Sequence, residues 1–268
     1  MTASTIFHKL GVLGRKLISL AFWLFIWQVV AMAVGQELLI PAPRLVFARL
    51  WELGQTADFW LTAGSTLLRI FIGFLGGVLA GTLLAVCTSA SRAADMLLSP
   101  AVRVMRATPV ASFILLMLLW IGTGLVPSVI AALIVVPILW GNVTKGIRET
   151  DKSLLEMGRV FGFSPFKQMR LIYFPSVLPY FTSGCSTGLG LAWKSGVAAE
   201  VLCLPKQAVG TQVYYSKLYL ETPSLFAWTL LVIVLSFLVE GVWVFVLNRL
   251  MRRWDMSQKK EENSDAGT

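Results

Sequence analysis

Charge is scarce in this sequence. Of its 268 residues only 14% are Asp, Glu, Lys or Arg, whereas 56% are hydrophobic, which leaves too little polar surface to clothe a soluble globule. Histidine is scarcer still, with His8 standing alone, and the three cysteines, Cys87, Cys185 and Cys203, share no ligand spacing. Zinc sites and Ser-His-acid nucleophiles need several such groups converging, so a metalloenzyme and an intramembrane hydrolase find no residues to build from. No phosphate-binding loop of the form GxxxxGKS or GxxxxGKT occurs either. Any ATP chemistry therefore belongs to another chain.

What the sequence has instead is length without charge. Its mean hydropathy is +0.74, and four uncharged runs match a bilayer, which a helix crosses in about 20 residues. They are Leu17 to Gln36, Ile70 to Ser91, Leu171 to Trp193 and Thr222 to Val239. A fifth, Ala107 to Thr144, has 38 residues, roughly 57 Å as one helix, too long for one crossing. Gly122, Thr123 and Gly124 supply a break, which predicts a hairpin of two short helices and six transmembrane helices in all.

Lys and Arg give the orientation, because basic flanks stay in the cytoplasm. With the amino terminus inside, the inner segments (the N-terminus, 88–106, 142–170 and the C-terminus) hold 17 Lys and Arg, and the outer ones hold 4. Both termini are expected in the cytoplasm. Topology and attraction to anionic headgroups account for the net charge of +9, which gives no reason to invoke nucleic acid. The domain plan is an N-terminus and first span over 1–36, a core over 37–250, and a solvated, disordered tail over 251–268. Ala31-Met32-Ala33 imitates a signal-peptide cleavage site, but the preceding run is long and rich in Trp and Phe, so a retained anchor is expected.

Gly73, Gly77 and Gly81 recur every four residues and share a helix face on which another helix can approach closely. Packing within the chain and packing between subunits both fit that stripe.

The stretch EMGRVFGFSPFKQMRLIYFP, residues 156 to 175, interrupts the apolar runs with basic residues, two glycines and two prolines. Ser153 and Glu156 fit a capping box opening a short helix. Gly162 is placed to end it, Ser164-Pro165 to start a second, and Pro175 to mark entry to the next span. Leu154, Met157 and Phe161 fall on one side of the first helix, and Phe163 and Phe166 extend that surface past the elbow. Such a face suits either a groove in a partner or the chain's own inner surface.

Glu156, Gly162, Ile172 and Pro175 match, in order and spacing, the cytoplasmic loop signature of permease subunits of binding-protein-dependent ABC importers: EAA, three residues, G, nine residues, I, one residue, L, P. Met157 and Gly158 replace the two alanines and Phe174 the leucine. The resemblance extends over about residues 40 to 250. LIPAPRLVFARLWEL and LAWKSGVAAEVL resemble the branch that handles nitrate, sulfonates and taurine, whose relatives also serve vitamin precursors. It implies an all-α integral membrane protein of the type I ABC importer permease fold in a prokaryotic inner membrane. It implies that the helix of about Ser153 to Gly162 docks on a cytoplasmic ABC ATPase dimer, which binds the ATP and Mg, this chain having no cofactor. It also implies an extracytoplasmic binding protein that delivers a small solute. No internal repeat is evident, so a two-fold pore calls for a second copy, with a heterodimer of related permeases as the alternative.

Buried polar groups are the natural candidates for the route, because lipid penalises them. Arg69, Lys194 with its neighbour Trp193, Glu200 and Glu240 qualify. Arg69 and Lys194 also fit snorkelling to an interface, and Glu240 fits pairing with Arg249 or a neighbour. The rival reading, a secondary transporter, more often carries inverted repeats and matched broken helices. Neither is evident, and a scaffolding role leaves the loop signature unexplained.

Overall fold

The structure is a computed structural model that describes residues 12–265. Among the described residues every regular element is a helix, as the absence of alternating polarity requires. They are α1 (Val12–Val34), α2 (Pro43–Gly54), α3 (Ala57–Ala90), α4 (Arg92–Ala107), α5 (Val110–Leu118), α6 (Val126–Arg148), α7 (Lys152–Val160), α8 (Pro165–Gln168), a π-helical turn (Met169–Tyr173), α9 (Phe174–Cys203), α10 (Val209–Leu218) and α11 (Thr222–Asp265). They divide into two compact units. One holds the described residues up to Leu61 with Gln212–Val232; the other holds Thr62–Thr211 and the residues from Ile233 on.

The first unit is tied by aromatic and hydroxyl contacts. Trp27 stacks on Phe226 at 5.8 Å and donates its indole N–H to the Pro41 carbonyl at 3.1 Å. Arg49 donates to Ser224 Oγ at 2.9 Å, and Thr222 Oγ1 to the Leu38 carbonyl at 2.6 Å. Helix α1 presents Leu17, Trp23 and Phe25 outward, as suits a lipid-facing anchor.

In the second unit α6 and α9 form the most extensively packed pair, and α3 closes on α6 through its glycines. A Cβ at Gly73 would lie 2.1 Å from the Ser128 carbonyl oxygen, one at Gly77 2.8 Å from Ala132 O, and one at Gly81 2.7 Å from Val136 O. The stripe is filled by this chain's own α6, so a subunit interface along it is excluded. Only glycine lets the two backbones come so close.

Four described helices are long and apolar enough to cross a membrane, or five if the bent pair α4 and α5 counts as one. The expected hairpin is corrected in part. Its break does fall at residues 119–125, but α5 has only 9 residues, about 14 Å, and cannot cross. Pro109, lacking an N–H, separates it from α4, and the two helices meet at 102°. The remaining expected span, α9, is 30 residues long but falls short in apolarity. Gly184, Gly188, Ala192, Ser195 and Gly196 are buried against neighbouring helices, and a helix clothed by protein needs no greasy surface of its own. At the other end, α11 continues to Asp265 instead of giving way to an irregular tail at 251. No glycine or proline occurs from 242 to 266, and Lys, Glu, Gln and Met favour helix.

Candidate functional site

Two assemblies gather the residues that the sequence singles out, both within the second unit. The first is the elbow between α6 and α9. Helix α7 starts earlier than a Ser153 cap predicts: the Asp151 carboxylate accepts the Ser153 N–H at 2.8 Å. Aspartate caps as well as serine, and its charge suits the positive helix end, so the capping box with Glu156 does not form. Glu156 is exposed.

At its far end α7 closes as the glycine predicts. Gly162 takes φ +66°, its N–H bonds the Arg159 carbonyl at 3.0 Å, and the Phe163 N–H bonds the Gly158 carbonyl at 2.8 Å. This is a Schellman closure with a left-handed residue after the helix. Ser164 Oγ then accepts the Lys167 N–H at 3.3 Å, with Pro165 in the first turn. Lys167 Nζ lies 4.3 Å from the centre of the Phe163 ring, so the elbow is stiffened on both sides.

One contact anchors the elbow to the core. Gly158 is buried, and a Cβ there would lie 3.1 Å from Ile172 Cδ1; Ile172 itself is 4% exposed. The π turn follows from Pro175, which has no N–H for the Leu171 carbonyl and would crowd it in a regular α-helix. Widening relieves this, and the Phe174 N–H reaches back five residues to Met169. The apolar face that flanks this contact stays open: Leu154 is 41%, Met157 44% and Phe161 70% exposed. Of the two readings of this face, these exposures favour the one in which a partner's groove receives it.

The second assembly is a buried ion pair. Arg69 Nη1 lies 2.6 Å from Glu200 Oε1, whose side chain has no exposed surface. Thr66 Oγ1 donates to Glu200 Oε2 at 3.0 Å, and the Gly210 N–H donates to the same oxygen at 3.1 Å. The Val209 N–H donates to Thr66 Oγ1 at 2.9 Å, and Arg69 Nη2 to the Lys206 carbonyl at 3.4 Å. Leu204 and Gln207 take positive φ, folding the segment after α9 back over the carboxylate. Gly210 is required there, because a Cβ would lie 2.5 Å from Glu200 Cβ. Arg69 therefore pairs instead of snorkelling, and Glu200 faces no cavity. Every oxygen of the buried carboxylate is satisfied, the condition for tolerating it.

The other polar candidates lie apart. Trp193 lines an apolar groove of ≈ 600 Å³ with Leu67, Phe71, Leu189 and Trp243, whereas Lys194 points away, exposed and without an ion pair among the described residues. Glu240 makes no pair with Arg249, which lies over the Phe245 ring at 6.0 Å. Nine residues are two and a half helical turns, which puts the two on opposite faces. The sequence reading missed Thr66 and Gly210 as partners of Glu200. Their separation in the chain hides them, and only an unpaired glutamate in a greasy context hints that partners must exist.

The chain was compared with known proteins. The family described as "Binding-protein-dependent transport system inner membrane component" matches residues 77–253. The riboflavin transport system permease protein RibX of Chloroflexus aurantiacus is 28% identical over 243 residues, 90% of each chain. The aliphatic sulfonates transport permease protein SsuC of Bacillus subtilis, named as putative, is 26% identical over 85% of this chain and 83% of its own. The taurine transport system permease protein TauC of Escherichia coli is 22% identical over 90% and 88%. Among solved structures, a chain of a bacterial ABC transporter involved in import of the acidic polysaccharide alginate superposes with TM-score 0.60 at 19% identity, covering 90% of this chain and 95% of that one. A chain of an amino acid ABC transporter with histidines gives 0.56 at 18% identity, covering 70% and 90%. The solved structures establish a shared fold.

Proposed function

The chain belongs to the family of binding-protein-dependent transport system inner membrane components, and from that premise we propose how it works. It is a permease subunit of an ABC importer, a transporter part and not itself an enzyme. Two copies form the pore, α7 and the elbow dock on a cytoplasmic ATPase dimer that holds the ATP and Mg, and an extracytoplasmic binding protein delivers the solute. Both termini face the cytoplasm, in accord with the excess of Lys and Arg in the inner segments. The solute is small and in the nitrate, sulfonate and taurine range, with a vitamin such as riboflavin as the alternative that the similarity to RibX supports.

The observation that carries this reading is the open apolar face of Leu154, Met157 and Phe161 on a helix that is seated on Ile172 through the adjoining Gly158. A partner gripping that face moves α7, and α7 moves the π turn and α9. ATP closure of the partner and solute release then bias one two-state element from its two ends.

Purification from gently solubilised membranes tests it. The ATPase should co-elute with the native chain and be lost from a folded Glu156→Lys variant, since Glu156 is the exposed acid of the loop signature. Transport that persists with ATP depleted but an ion gradient held, with no ATPase co-eluting, refutes the coupling reading in favour of a secondary transporter. Native mass showing one copy per complex refutes the homodimer.

A further inference from the structure

Two arginines of α4 are left without a partner by everything described so far. Helix α4 begins at the cytoplasmic end of α6, where Arg148 Nη2 lies 3.9 Å from Asp95 Oδ2. Ser99 donates to Asp95 one turn further on. At the other end of α6, Ile114 of α5 packs with Val126, Ile130, Ala199 and Cys203. The chain therefore climbs the length of α6, about 34 Å, first along α4 and then across it after the 102° bend.

Along α4, Arg103 stands about 12 Å and Arg106 about 16 Å from Asp95, at 1.5 Å per residue. Both are exposed, and among the described residues neither makes an ion pair. At 100° per residue Arg92, Arg103 and Arg106 fall within about 60° of one another, with the buried Ser99 between them and the buried Val102 just beyond the edge of that arc. Permanent charges at that depth are not left against lipid tails; they face water, a cavity or a counter-charge. A guanidinium pair one turn apart offers parallel donors to one oxyanion.

We propose that Arg103 and Arg106 form an anion-binding step on the solute route, donating N–H groups to the sulfonate, nitrate or carboxylate oxygens of the solute between its release outside and its exit to the cytoplasm. This rests on the reading of the chain as the route-forming subunit and deepens it. The pair sets the charge class of the solute. Arg69, already committed to Glu200, does not contribute.

The importer, assembled from this chain, its ATPase and its binding protein in phosphatidylcholine vesicles, is given labelled ethanesulfonate, taurine, nitrate and riboflavin. Co-elution of the ATPase shows that each variant assembles. Arg103→Gln and Arg106→Gln should each lower ATP-driven uptake of the transported anion about ten-fold, chiefly through KM, as expected for one lost charge-assisted contact, with partial recovery in the Lys variants. Unchanged anion uptake, or uptake of riboflavin alone, overturns the proposal while the ATP-driven importer stands. Absence of ATP-driven uptake of all four solutes by the assembled native complex counts against the importer reading.

A second measurement decides the pair whatever the solute. In a Cys87→Ser background, Arg106→Cys should react faster with an anionic, water-soluble methanethiosulfonate than with its cationic counterpart, a preference removed by adding Arg103→Gln. No reaction, or no preference, overturns the proposal. So does a preference abolished by replacing phosphatidylcholine with phosphatidylglycerol, which assigns the pair to lipid headgroups instead.

Discussion

The elbow and the Arg69–Glu200 hub use comparable sets of polar and backbone contacts to opposite ends. The hub turns every group inward: a carboxylate with no exposed surface is held by a guanidinium, a hydroxyl and a backbone N–H. The elbow spends its bonds on itself, with Asp151, Gly162 and Ser164 closing helix ends, and leaves its apolar face bare. One is a clasp that fixes the fold; the other, on the function proposed above, is a rigid handle for a partner. On that proposal stability and function are separable in this chain by position.

Substitutions at the two places should sharpen that separation. The largest effect is expected at the clasp. Glu200→Ala leaves Arg69 buried without its counter-charge, costing about 3–5 kcal/mol, visible as a large drop in Tm of the detergent-purified chain. The double variant Arg69→Met with Glu200→Met should recover much of that loss, and equal Tm values for single and double variants would break the comparison. Next comes Gly158→Val, which drives a branched side chain into Ile172 at a cost of about 1–3 kcal/mol. Its signature should be ATP hydrolysis without matching uptake, since the handle survives but its seat is displaced. Gly158→Ala, the residue of the family signature, should be far milder.

Gly162→Ala forces a side chain into the left-handed region, about 1 kcal/mol; less ATPase should co-elute while Tm barely moves. Smallest is Asp151→Ala, which removes one exposed helix cap worth about 0.5 kcal/mol, the low end for such caps. With Gly162 still closing the far end, it should fray the start of α7 and speed hydrogen exchange at Ser153.

Much of this was legible in the sequence. Long uncharged runs gave the helices, because a bilayer imposes their length, and glycine spacing in α3 foretold a close neighbour although not which one. The elbow could be placed because caps and closures are local: Gly162, Ser164 and Pro165 act within four residues of themselves. Even so, Asp151 displaced Ser153, since two good caps in tandem leave the choice to the chain that precedes them. The clasp was invisible for the converse reason. Thr66, Arg69, Glu200 and Gly210 lie on three elements, and only folding brings them together. Helix α4 illustrates a third case: counting Arg103 and Arg106 as inner-loop charges served the topology rule but hid that they sit well up a helix.

The π turn after the elbow bears on mechanics. Pro165–Gln168, the turn and α9 follow one another without a break to Cys203, on the order of 55 Å of helix. The elbow lies at one end of this path and the clasp of Glu200 at the other. A rod so held behaves as a lever whose far tip is tied to the returning segment 204–210, so a nudge at the elbow is delivered to the clasp with little lost in bending. Its soft places are the widened turn and, less than two turns further on, Pro179 inside α9, whose missing N–H opens the ladder, so the rod can swivel there without breaking. Stiffening that turn, and nothing else, would slow the stroke while leaving both ends intact.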